Sequence, residues 1–162
     1  MIYSKTCEYA IRALSYLASK PGKDLSTITE INSKTGVPQT YVAKTFQCLI
    51  RAGILGSKSG PGGGYFFRIE PSKVTLLQVI RILDNFSESS LSKCVMGQIE
   101  CHDKNPCALH DIWMKAKEEI NQRLGSETIL DVVRMKNGTY WNQKRRVVLS
   151  KRMQNIFGYK TS

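Results

Sequence analysis

The feature that most restricts what this chain can fold into is a change of hydrophobic period at Gly53. Before it, apolar residues recur at helical spacing; after it, they come in two short runs around a glycine tip. Thr27-x-x-Glu30 resembles a capping box and opens a short helix through Ile28 and Ile31, broken at Thr35-Gly36. A second helix begins near Pro38 and runs through Val42, Phe46, Leu49 and Ile50 until Gly53. Ile54-Leu55-Gly56-Ser57-Lys58 and Tyr65-Phe66-Phe67-Arg68-Ile69 then read as strands flanking Ser59-Gly60-Pro61-Gly62-Gly63-Gly64. Two helices joined by a tight glycine turn, the second with a polar free face, outline a helix-turn-helix, and the hairpin behind them is a wing. A phosphate-cradling loop would run instead into a helix through Gly-Lys-Ser/Thr, which this one does not.

The flanking segments are helical. Cys7, Ala10, Ile11, Leu14, Leu17 and Ala18 share helical spacing ahead of Pro21-Gly22, with Cys7 a core residue. Pro71 ends the hairpin, and Thr75, Leu76, Val79, Ile80 and Leu83 mark a further helix that stops around Asn85. A longer helix starts at Pro106, with Asn105 as its N-cap, and ends near Gly125; at about 1.5 Å per residue it measures roughly 28 Å. Its stripe of Leu109, Ile112, Trp113, Ala116, Ile120 and Leu124 needs an apolar surface beyond the winged module, and a second subunit supplies one most economically. Thr128-x-x-Asp131 caps one more short helical turn. The chain is therefore expected to be mainly α (α+β), with a winged helix-turn-helix over residues 1–85 and a cysteine-rich loop over 86–105. A dimerisation helix and helical turn follow over 106–133, and a basic tail over 134–162.

Charge separates the same regions. The formal net charge is +11. Residues 1–85 carry 11 basic against 5 acidic side chains, residues 86–133 carry 5 against 8, and residues 134–162 carry 8 against none. Two basic segments imply a polyanionic partner, nucleic acid, and the winged helix-turn-helix makes duplex DNA the form expected. On the second helix of the motif Gln39, Thr40, Tyr41 and Lys44 lie opposite Val42, Phe46 and Leu49 and are candidate DNA contacts, as are Lys58, Ser59, Gly60, Pro61, Gly62 and Gly63 on the wing. No apolar run is long enough to cross a bilayer, and Lys5, Glu8 and Arg12 interrupt any signal-peptide core, so a cytoplasmic protein without a membrane partner is expected.

Three of the five cysteines, Cys94, Cys101 and Cys107, fall with His110 inside seventeen residues. Reduced thiols clustered in this way point to metal rather than disulfides. Cys107 is expected in the first turn of the long helix, where the dipole favours a thiolate, with His110 on the same side. Cys3His suits zinc as well as an iron–sulfur cluster, and spacing does not separate them. A metal-free thiol switch with Cys107 as the low-pKa sulfur is a further alternative. His102 reads as a solvated loop residue and Cys48 as packing. A hydrolase using Cys107 and His110 lacks a nucleophile elbow and an orienting carboxylate, so no enzyme activity and no small-molecule substrate are expected.

Tyr9-Ala10-Ile11-Arg12-Ala13-Leu14, the wing Gly60-Pro61-Gly62-Gly63-Gly64-Tyr65 and the Cys94/Cys101/Cys107 series together resemble the bacterial iron–sulfur winged-helix transcription regulators of the IscR/NsrR family. The likeness spans about residues 1–133. It implies a homodimer that crosses its long helices and an iron–sulfur cluster whose state tunes DNA binding, with redox, iron–sulfur or nitric oxide status as the signal. It also implies a fourth ligand. His110 occupies the histidine position of the cluster regulators, while Glu8 occupies the place of a carboxylate donated across the dimer in the nitric-oxide sensors. His110 with a [2Fe-2S] cluster is favoured over [4Fe-4S]. Where the family commonly carries a wing arginine this chain has Ser59 beside Lys58, and Ala43 replaces an acidic residue used for sequence discrimination. The Cys94–Cys101 spacing is one residue off the usual cluster-regulator pattern.

Overall fold

The computed structural model describes residues 3–20, 25–84, 93–99 and 101–136. Among them are six α-helices, one 3-10 turn and one two-stranded sheet, so the mainly helical winged architecture expected from the pattern is present. Helix α1 (Lys5–Ala18) is the hub. Cys7, Ala10, Ile11, Ala13, Leu14, Ser15 and Leu17 are buried on it, and helices α2 (Ile28–Thr35), α3 (Gln39–Arg51), α4 (Leu76–Leu83) and α6 (Ile129–Lys136) all pack against it. Small residues at 10 and 13 let those neighbours approach closely, and Ser15 returns its hydroxyl to the Ile11 carbonyl at 2.7 Å, which satisfies the one polar group buried on that face.

Each start signal acts through a specific bond. Ser4 accepts from the Cys7 N–H, Thr27 from Glu30 N–H, and Thr75 forms a full reciprocal box with Gln78. The expected box at Thr27-x-x-Glu30 is only half made, because the Glu30 carboxylate turns away to Tyr16 and Lys20. Gly36, at φ 70°, ends α2 in the left-handed conformation that glycine adopts without strain. Asn32 Nδ2 then donates to the Val37 carbonyl and sets the turn into α3.

Strands β1 (Leu55–Lys58) and β2 (Gly64–Phe67) pair antiparallel with Leu55 opposite Phe67 and Lys58 opposite Gly64. Ile54, expected as the first residue of the hairpin, lies just outside it and accepts the Arg68 N–H, while Gly64 joins the second strand and Arg68 and Ile69, expected in it, follow its end at Phe67. Ser26 adds a further bridge to Tyr65, tying the entry of α2 to the wing. Tyr65 meets Phe46 of α3 edge-on, ring centroids 5.1 Å apart, so the wing and the helix beside it share one core.

Helix α5 (His110–Ser126) lies outside that core. It leans on α4, with Gly125 facing Leu77, and its C-terminal end is fixed where Leu76 N–H bonds Glu127 O and Ile129 N–H bonds Val74 O. The chain then returns through α6, where Ile129 is fully buried and Thr128 and Asp131 cap the start. The single turn expected there is a helix of 8 residues. Within α5 only His110 is buried. Most of the expected tail, 137–162, and part of the expected cysteine loop, 86–92, lie outside the described residues.

Candidate metal centre and nucleic-acid interface

Burial of Val42, Thr45, Phe46 and Leu49 turns the opposite side of α3 outward, leaving Gln39, Thr40, Tyr41 and Lys44 exposed as the polarity pattern required. At the wing tip Gly63 N–H bonds Gly60 O at 2.9 Å. Pro61 at the second position of that turn and Gly62 at φ 71° at the third give it type II character. A side chain on Gly63 would collide with the Lys58 carbonyl, which fixes glycine there. Lys58, Ser59, Gly60, Pro61 and Gly62 are exposed and Gly63 is half-buried, so the tip is a smooth backbone surface beside one lysine.

Tyr41 does more than face solvent. Its ring sits edge-on to Tyr9 of α1, centroids 5.0 Å apart, and the Lys5 and Arg12 cations lie 5.3 and 5.8 Å from the Tyr9 ring. Glu8 pairs with both cations, at 2.8 Å to Lys5 and 2.7 Å to Arg12, and the Lys5 bond leads in holding its carboxyl below the usual carboxylate range. Sequence periodicity placed these residues on α1 but gave no sign of the aromatic contact with α3, which depends on the packing angle of two helices.

The three loop thiols converge. The sulfurs of Cys94, Cys101 and Cys107 all lie within 4.8 Å of one another, and Cys94 and Cys107 are 3.5 Å apart. Sulfurs bound at about 2.3 Å to one tetrahedral metal would be roughly 3.8 Å apart, so the triangle fits a metal centre. His110 stands at its edge, Nδ1 3.2 Å from Cys101 Sγ, with Nε2 3.0 Å from Asp103 Oδ1. Three further bonds tie the loop down: Trp113 Nε1 donates to the Lys93 carbonyl at 2.9 Å, and His102 and Asn105 pair through their backbones in both directions. His102 is exposed, as expected of a loop residue, and accepts the Lys104 N–H on Nδ1. Cys7 is buried, and its thiol is pushed up to about 12 by burial and by Asp84; Cys48 is half-buried on α3.

The start of α5 corrects the expectation from Asn105 and Pro106. The helix begins at His110, not Pro106, because Asn105 is taken up in the His102 turn, and Cys107 precedes the helix, its carbonyl accepting the His110 N–H. Cys107 therefore does not occupy the first helical turn. The sulfur brought toward ionisation is Cys94. Burial opposes its thiolate, but the Gln98 and Met96 backbone and the neighbouring Cys107 and Cys101 sulfurs prevail, and its pKa falls to about 7. For Cys101 the Cys107 backbone favours the thiolate, yet burial and the two adjacent sulfurs outweigh it and push its thiol up. One thiolate forms readily, and the charge it adds resists the next. Three soft sulfur donors with a nitrogen beside them suit zinc or an iron–sulfur cluster far better than a hard cation.

The profile of the Rrf2 family, described as iron-dependent transcriptional regulators, matches residues 3–135. The chain belongs to the Rrf2 family. A candidate HTH-type regulator of Aquifex aeolicus is 30% identical over 135 residues, covering 82% of this chain and 92% of its own. IscR of Vibrio atlanticus is 27% identical over 126 residues, 78% of this chain and 71% of its own. In structure, this Rrf2 chain is similar to CymR of B. subtilis, titled the global cysteine regulator, with TM-score 0.68 and 21% identity over 83% of this chain and 98% of that one. It is also similar to T. potens IscR, with TM-score 0.63 and 21% identity over 90% and 94%. These likenesses give the fold and the class: a winged-helix transcriptional regulator of the Rrf2 type, and not an enzyme. Among the described residues no helix is long and apolar enough to cross a membrane.

Proposed function

We propose that this Rrf2 regulator acts in the cytoplasm as a homodimer whose hold on operator DNA is set by an iron–sulfur cluster carried by Cys94, Cys101, Cys107 and His110. The observation that carries the reading is the convergence of three thiols from a fourteen-residue span onto one point beside an imidazole. Such a donor set binds a soft metal in a reducing compartment and supplies a centre sensitive to oxidation state and to small reactive molecules. His110 is favoured over Glu8 as the fourth ligand, because Glu8 is already engaged by Lys5 and Arg12 while His110 Nδ1 lies 3.2 Å from Cys101 Sγ. A [2Fe-2S] centre is favoured over [4Fe-4S], since ligation by nitrogen in place of sulfur is familiar for two-iron centres.

The dimer reading rests on α5. Leu109, Ile112 and Met114 are exposed, Ile112 to 69%, and Trp113, Ala116, Ile120 and Leu124 are only half-buried by their own chain. A second copy of α5 would cover them. The same helix starts at His110 and ends at the α4 clamp, so a change at the metal centre reaches the winged module and the dimer axis through one rigid element. On DNA, Gln39, Thr40, Tyr41 and Lys44 would approach base edges or phosphates, with Lys58 and residues 59–63 of the wing on the backbone.

A single zinc ion in the same donors is the second reading, favoured by the 3.5 Å Cys94–Cys107 spacing. Anaerobic purification followed by absorption spectroscopy, metal and sulfide analysis and light scattering separates the two. A red-brown dimer with about two iron and two sulfide per chain is the expected result. A colourless protein with about one zinc per chain would replace the cluster with zinc, and a metal-free monomer would overturn the proposal.

A further inference from the structure

We propose that Asp103 is a positioning residue that commits His110 to bind metal through Nδ1. The inference rests on the reading of the cysteine loop as a metal centre and adds a residue that is not among its expected ligands. His110 has its two ring nitrogens in different company: Nε2 is 3.0 Å from Asp103 Oδ1, and Nδ1 is 3.2 Å from Cys101 Sγ. An ionised carboxylate can only accept a hydrogen bond, so the proton of a neutral imidazole belongs on Nε2. That leaves the Nδ1 lone pair facing Cys101 Sγ, at the edge of the sulfur triangle, where a ligand to the shared metal would be.

Both partners are held in place to make this choice. The His110 ring is only 10% exposed and roots at the first residue of α5. Asp103 is 95% exposed, but its backbone lies inside the turn closed by Asn105 N–H to His102 O at 2.8 Å and His102 N–H to Asn105 O at 3.4 Å. The same turn draws Asn105 away from the helix start, so the loop geometry that displaces the expected N-cap is what brings Asp103 to the imidazole. A carboxylate on the far nitrogen orients a ligating histidine and raises its basicity, and losing such a partner typically weakens metal binding 10- to 100-fold.

Two measurements test the proposal. In metal-free protein labelled with 15N-histidine, long-range proton–nitrogen correlation spectra in mildly alkaline buffer should show His110 as the Nε2–H form. His102, the other histidine of the chain, is identified by its loss in His102→Asn. Asp103→Ala should mix the two tautomers of His110, and Asp103→Asn, whose amide oxygen still accepts, should restore Nε2–H. In metal-loaded protein, pulsed electron paramagnetic resonance of the reduced centre with histidine labelled at Nδ1 alone should show the labelled nitrogen coupled to the metal, and Asp103→Ala should lower metal affinity roughly 10- to 100-fold. A His110 tautomer indifferent to Asp103→Ala, or coupling from Nε2, would overturn the proposal while leaving His110 as a ligand. A paramagnetic iron-loaded centre with no histidine coupling at all would refute His110 ligation itself, and the role of Asp103 with it.

Discussion

The winged module and the cysteine loop are built on opposite principles. In the module, Phe46, Leu14, Ile31, Leu49, Leu55 and Ile80 are fully buried, and every described helix start from α1 to α4 except that of α3 has a side-chain cap. Among the described residues of the loop, Val95, Met96 and Ile99 face solvent, Ile99 completely, and the contacts that hold them are a few polar ones: Trp113 to Lys93, His110 to Asp103, and sulfur to sulfur. A module stabilised by apolar burial folds without a ligand. Among its described residues the loop buries little, so its order would depend on what its donors hold, and under the proposed function the sensing region is the one whose stability a metal can change.

The sharpest way to separate the two is to remove packing from one and ligands from the other. Phe46→Ala should cost about 3–5 kcal/mol in denaturant unfolding, since it empties the core shared by α3 and the wing, while leaving the metal content of the folded fraction unchanged. Cys94→Ser should do the reverse: abolish metal binding, yet shift the unfolding free energy of the metal-free chain by less than about 1 kcal/mol, because no apolar contact is lost. If the cysteine variant unfolds the module, the two regions are not independent.

Smaller effects probe the DNA surface. Gly63→Ala should weaken operator binding about tenfold through a distorted turn, with a cost of about 1–3 kcal/mol in stability, read by fluorescence anisotropy beside thermal melts. Lys44→Ala should lower the slope of log affinity against log salt by about one, reflecting one phosphate contact; an unchanged slope would take Lys44 out of the interface. The least effect belongs to acid. Lys20, and after it Tyr16, hold the Glu30 carboxyl below its ordinary value, so its folded pKa lies under the unfolded one. The stabilisation is then present above roughly pH 4.3 and is lost as pH falls through the folded value. Glu30→Gln should remove about 0.5 kcal/mol at neutral pH and flatten that acid limb.

How much of this was legible in sequence follows the same division. Helices α1 to α4 and the wing were readable because burial imposes a period and caps impose a residue type, with boundaries off by only a residue or two. The clustering of Cys94, Cys101 and Cys107 was readable as residue types at close spacing. The path of the loop was not. Asn105-Pro106 is a strong local signal for a helix start, but the His102 turn claims Asn105, and the helix waits until His110. Likewise the Thr27 box lost its second half to Tyr16 and Lys20. The Tyr9–Tyr41 contact and the Asp103–His110 pair depend on tertiary geometry that no spacing encodes; an acidic residue close before a candidate ligand histidine was the available hint for the latter.

The most direct test is an operator-binding isotherm measured anaerobically by fluorescence anisotropy on three samples: protein as purified, protein stripped with a chelator, and Cys94→Ser. Control of DNA binding by the metal centre requires the stripped protein and the variant to agree with each other and to differ from the purified protein by about tenfold or more in affinity, a coupling of about 1.4 kcal/mol. Three superimposable isotherms, with metal present in the first sample and absent from the others, would contradict it.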